Sequence, residues 1–151
     1  MMPEDSIHDD ISRLIEKYGR HAALNAMQNA AKSLTPGAVC TIIVNAGLHR
    51  FPPEILSGEI YTFYEGSLDL SSEELLRSFV EDRLLNLSIF LKSRKWRQIF
   101  IVISGHAAIC MQVKLAVYRI THIETVDWVF DGAGNYVRLA IPMRRILTAA
   151  R

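Results

Sequence analysis

Two short runs constrain this chain more than anything else in it. Ala38-Val39-Cys40-Thr41-Ile42-Ile43-Val44 and Ile99-Phe100-Ile101-Val102-Ile103 are apolar, rich in β-branched residues, and free of polar alternation. A strand with one wet face alternates with period two. A run that does not alternate is a strand buried on both faces, as in the parallel sheet of an α/β domain.

The remaining segments fit around such a sheet. Between Ser6 and about Leu34, Ile7, Ile11, Leu14, Ile15 and Tyr18 recur at helical spacing, and Ala22, Ala23, Ala26, Met27 and Ala30 continue the apolar face. Gly19 divides this segment into two helices, and Pro36-Gly37 ends it. Glu59 to Tyr64 is predicted to be a strand. Ser71 is the expected N-cap of the next helix, with Glu74 completing a capping box and Leu70 and Leu75 at staple positions. Leu75, Leu76, Phe79, Val80, Leu84, Leu87 and Leu91 form its stripe, and Lys92, Arg94, Lys95 and Arg97 complement its C-terminal dipole. Gly105 then turns the chain into a helix from about His106 to Thr121. Thr125–Phe130 and Tyr136–Ile141 form an antiparallel hairpin across Asp131-Gly132-Ala133-Gly134-Asn135. The expected fold is α/β, a single Rossmann-like domain over 35–151, mostly parallel, with helices on both faces and a C-terminal antiparallel hairpin. Residues 1–34 are expected to be a helical segment packing on it. A chain of 151 residues suits one such domain.

Composition narrows the function. The chain is 50% hydrophobic and 22% charged, which excludes a disordered polymer. Seventeen Lys and Arg against sixteen Asp and Glu leave a net charge of +1, so no global field favours duplex nucleic acid or an anionic membrane. Cys40 and Cys110 lie in apolar runs and read as buried, reduced thiols. Together with the absence of a hydrophobic leader core or a spanning apolar run, they lead to the expectation of a cytoplasmic protein. The five histidines, His8, His21, His49, His106 and His122, make no metal-binding spacing, so no metal is expected. The three-glycine dinucleotide fingerprint and the phosphate-loop lysine pattern are both missing, so no cofactor is expected either.

Ligands of open α/β sheets bind beyond the carboxyl ends of the strands. Two ends carry suitable residues: Asn45-Ala46-Gly47 and Ser104-Gly105-His106-Ala107. At the second, a glycine allows close backbone approach and the helix that follows offers free amides to an anion. Ser104 and His106 add side-chain donors. The competing reading is a strand-to-helix turn that needs glycine only for steric reasons. No nucleophile elbow is present, and an enzyme would have to use His106 as acid or base.

Leu68 to Leu139 resembles one half of a SAVED domain, a sensor module related to CARF domains of bacterial antiviral defence. The resemblance is carried by Leu68-Asp69-Leu70, the long helix after it, the strand Ile99–Ser104, the turn Gly105-His106-Ala107-Ala108-Ile109, the strand Thr125–Phe130 and the aromatic Tyr136. It implies a non-catalytic module that binds a cyclic oligonucleotide second messenger, with Ser104, Gly105, His106, Ala107, Asn45 and Gly47 as ligand-binding residues. A full SAVED domain fuses two such halves, and this chain holds one. The resemblance therefore implies a homodimer or a separate effector subunit, with residues 1–33 as dimerisation helix or sheet cover. A ring nuclease or small hydrolase using His106, and a structural subunit of a larger complex, are the alternatives.

Overall fold

The computed structural model describes residues 4–34 and 37–150. The chain divides into two compact units, Met1–Thr35 and Pro36–Arg151. The first contains α1 (Glu4–Tyr18) and α2 (Arg20–Leu34), which pack on each other and are broken at Gly19. Ala23 is buried, while Leu14, Ile15, Tyr18, Leu24 and Met27 are exposed.

The second unit holds β1 (Ala38–Asn45), β2 (Glu59–Tyr64), α3 (Glu73–Lys92), β3 (Trp96–Ile103), α4 (Ala107–Thr121), β4 (Val126–Phe130), β5 (Tyr136–Leu139) and α5 (Met143–Ala149). Its strands form one sheet in the order β2-β1-β3-β4-β5. The first four run parallel, and β5 returns antiparallel to β4. The fold is thus α/β, Rossmann-like and mostly parallel, with a C-terminal antiparallel pair. The two unalternating runs occupy β1 and β3 at the centre, which is why both of their faces are apolar.

Connection handedness decides what covers each face. The crossovers from β2 to β3 and from β3 to β4 move in one direction along the sheet, and right-handed crossovers in one direction lie on one face. Accordingly α3 and α4 pack together over Cys40, Ile42, Val44, Ile99 and Ile101, burying Leu87, Leu91, Ile109, Cys110, Val113 and Val117. The step from β1 to β2 moves the opposite way, and its connection crosses the other face. Helices were expected on both faces. In this unit the second face instead carries residues 46–58, with a single 3-10 turn at Pro53–Ile55. Pro52-Pro53 removes backbone donors that a longer helix would need. Phe51, Ile55 and Leu56 from this segment pack near Ile43, Val102, Trp128 and Tyr136. The Thr41 hydroxyl pins it: it donates to the Ser57 carbonyl at 2.8 Å and accepts from the Ser57 amide at 2.9 Å. Gly58, at φ +71°, then admits the chain into β2, because a Cβ there would lie 2.1 Å from the Val39 carbonyl oxygen.

The start of α3 differs from the expectation by one residue. The N-cap is Ser72, whose hydroxyl accepts from the Leu75 amide at 3.3 Å. Ser71 instead donates through its amide and its hydroxyl to Asp69, holding that carboxyl below its usual range. With the cap at Ser72, Glu74 leaves the capping-box position. Leu70 and Leu75 are both exposed and form no staple. At the other end of α3, Trp96 is buried and donates its indole N–H to the Leu91 carbonyl at 2.9 Å. Cys40 and Cys110 are free and buried, as their apolar surroundings predict. No described helix is long and apolar enough to cross a membrane.

Candidate functional site

The strand order reverses between β1 and β3, so their carboxyl ends mark the switch point where α/β sheets place ligands. The candidate residues Asn45 and Ser104 stand at these two ends and meet there. The Ser104 hydroxyl accepts from the Asn45 amide at 2.9 Å and donates to the Asn45 carbonyl at 2.9 Å. The Asn45 side chain ties in a third strand. Its Oδ1 accepts from the amides of Gly47 at 3.0 Å and Gly66 at 3.1 Å, and its Nδ2 donates to the Gly66 carbonyl at 2.9 Å. One asparagine thereby fastens the ends of β1 and β2 while one serine fastens β1 to β3. Asn45 is 2% exposed and Ser104 5%.

These bonds change the roles of two candidates. Ser104, expected as a ligand donor, and Asn45, expected to line the strand end, both have their polar atoms engaged within the protein. The same geometry separates Ser104 from His106, since the hydroxyl is committed to Asn45. The crevice between the strand ends is filled as well. Above Asn45, Gly105 adopts φ +82°, where a Cβ would stand 2.4 Å from the Tyr64 hydroxyl and 2.8 Å from the Asn45 Cβ. Tyr64 is itself buried, and its hydroxyl accepts from the His106 amide at 3.4 Å. The Ser104 carbonyl accepts from the Cys110 thiol at 3.4 Å.

What remains accessible is the outer rim. Gly47, Gly105, His106 and Ala107 are all exposed. His106 is the N-cap of α4, and its side chain makes no capping bond. The first turn of α4 contains no acidic residue to oppose an approaching anion. Along the same rim, His49 stacks on Phe130 with ring centroids 4.8 Å apart, linking the segment after β1 to the end of β4.

Tyr64, Gly66, His49 and Phe130 escaped the sequence reading. Their place depends on the β1–β2 register, which sets Asn45 opposite Tyr64, and on the path of residues 46–58. No local pattern encodes either. His122 forms the left-handed C-cap of α4 at φ 57°, and His21 lies exposed on α2. Among the described residues, no three His, Cys, Asp or Glu side chains gather as a metal site requires. No protein-family model matches the chain, and no curated protein or solved structure matches it significantly.

Proposed function

We propose that this chain is a non-catalytic binding module for a phosphate-bearing ligand of the cyclic oligonucleotide class, held on the carboxyl rim of its sheet. The observation that supports this reading is the fastening of β1, β2 and β3 by Asn45 and Ser104, which fixes an exposed Gly105-His106-Ala107 backbone at the switch point. A rim held in advance loses little entropy when a ligand arrives. In this reading the phosphate lies on the amides at the start of α4, His106 donates from its imidazole, and Gly47 lets the backbone opposite approach closely. A base stacks on the ring pair His49 and Phe130. Asn45 and Ser104 act as positioning residues beneath the ligand.

Calorimetric titration of the full chain with a panel of cyclic di- and oligonucleotides tests this. Binding is expected for at least one member, weakened at least tenfold in His106→Ala with the ligand recovered intact. No heat from any member, with a folded protein, overturns the proposal. Linear products that vanish in His106→Ala would establish the ring nuclease instead.

A further inference from the structure

We propose that β5 is a self-association edge, on which two copies of this chain pair their β5 strands antiparallel about a two-fold axis through Val137. The strand is the terminal one of its sheet, and between Tyr136 and Leu139 it carries no proline or lysine that would blunt the edge. The chain enters β5 by a hairpin, and the helix that follows, α5, is tied by Arg144 to Tyr118, His122 and Glu124 at the end of α4. Val137 and Leu139, which lie on that face opposite Val129 and Asp127, are left 57% and 45% exposed. Beyond the strand, the exposed Ile141, Met143 and Leu147 line a hollow of about 410 Å³ with Tyr118 of α4. An edge strand that presents two exposed apolar side chains on one face offers an interaction surface.

A second copy is the occupant that the strand itself specifies. A two-fold axis perpendicular to the sheet makes the new pair antiparallel and keeps both helical faces on one side. Opposed residues then share a face, so the register must be centred on a residue and not between two. Centring on Arg138 would oppose two guanidinium groups, which destabilises a cross-strand pair. Centring on Val137 opposes the two valines and sets Arg138 of each copy against Tyr136 of the other. There a cation meets an aromatic ring, which is attractive. Among the described residues, none forms an ion pair with Arg138 that would compete. The two five-stranded sheets become one continuous sheet, and the contact is closed, as an isologous interface must be.

Sedimentation of the full chain and cysteine cross-linking test this. The wild type is expected to sediment as a dimer. Val137→Cys is expected to form a covalent dimer with oxidised glutathione, because residues opposed across the axis lie within disulfide reach. Native Cys40 and Cys110 are buried and do not interfere. Ile60→Cys, on the opposite edge strand β2, is expected to stay uncross-linked. Leu139→Lys is expected to weaken the dimer at least tenfold. A wild type that sediments as a monomer at its highest soluble concentration overturns the proposal. So does a dimer in which Val137→Cys fails to cross-link, whether or not Leu139→Lys folds.

Discussion

The Ser104 hydroxyl is both donor and acceptor to the backbone of a single residue, Asn45, on the neighbouring strand. Thr41 does the same to Ser57, in the segment that covers the second face of the sheet. In each case one buried hydroxyl satisfies an amide and a carbonyl that have left the strand ladder, where water is scarce and an unpaired group is costly. The two clips hold both branches of the chain leaving β1: its end against β3, and the returning loop against its face. The irregular backbone at Asn45 and Ser57 is thereby held by side-chain hydroxyls where the ladder no longer holds it.

Ser104→Ala should lower stability by about 1–3 kcal/mol, the cost of stranding the Asn45 amide and carbonyl in the interior. Denaturant titration should show a lower midpoint with an unchanged slope, because the surface exposed on unfolding stays the same. A loss below about 0.5 kcal/mol would mean that water reaches the strand end and that the clip does not fasten the rim.

Gly105→Ala should be destabilising for two separable reasons. The backbone at φ +82° is unfavourable for any L side chain, and the new Cβ would stand 2.4 Å from the Tyr64 hydroxyl. Tyr64→Phe removes the oxygen but leaves the backbone strain. The double variant Gly105→Ala/Tyr64→Phe should therefore be more stable than the sum of the single effects requires, by about 0.5–3 kcal/mol of coupling. Strict additivity in a double-mutant cycle would show that Tyr64 does not crowd the turn.

Much of this architecture is readable from residue pattern, and the parts that are not share a cause. The unalternating runs at Ala38–Val44 and Ile99–Ile103 identify the central strands because burial on both faces leaves a local mark. The hairpin after Phe130 is equally local, with Asp131 Oδ1 accepting from the amides of Ala133 and Asn135. Asn45 and Ser104, both expected to border a ligand, are brought together, yet the Ser104 hydroxyl serves the Asn45 backbone and the Asn45 side chain serves Gly47 and Gly66. Their engagement depends on strands 59 residues apart in the chain lying side by side, and pattern carries no register. Tyr64 went unnoticed at the site for the same reason. The segment 46–58 that the second unit lays over the second face of its sheet is a different matter: Pro52-Pro53 signals a break in the chain but not the path taken there.

The cap of α3 offers a sharp comparison between adjacent serines. Ser72→Ala should cost about 0.5–2 kcal/mol, since the Leu75 amide loses its acceptor. Ser71→Ala should change stability by less than about 0.5 kcal/mol, because its bonds to Asp69 are exposed and water replaces them. Thermal unfolding of the two variants ranks them directly. The reverse order would restore Ser71 as the cap and Glu74 as its capping-box partner.

Burial pushes the Cys40 thiol up to about 12, with Glu59, its partner across the β1–β2 register, adding to the rise and Arg94 opposing it. Burial raises Cys110 too. In the unfolded chain both thiols ionise near their ordinary value of about 8.5. Between that value and about 12, the folded state keeps a proton on Cys40 that the unfolded state has released. The unfolded state is then favoured as pH rises, and stability falls by about 1.4 kcal/mol per pH unit for a fully buried thiol. Below about pH 8 the effect vanishes, because both states hold the proton. Denaturant midpoints taken from about pH 7 to pH 10 should therefore decline more steeply in the wild type than in Cys40→Ala, whatever the absolute cost of the substitution at neutral pH. Parallel declines would mean that Cys40 ionises in the folded state as readily as in the unfolded one, and that the centre of the sheet admits water.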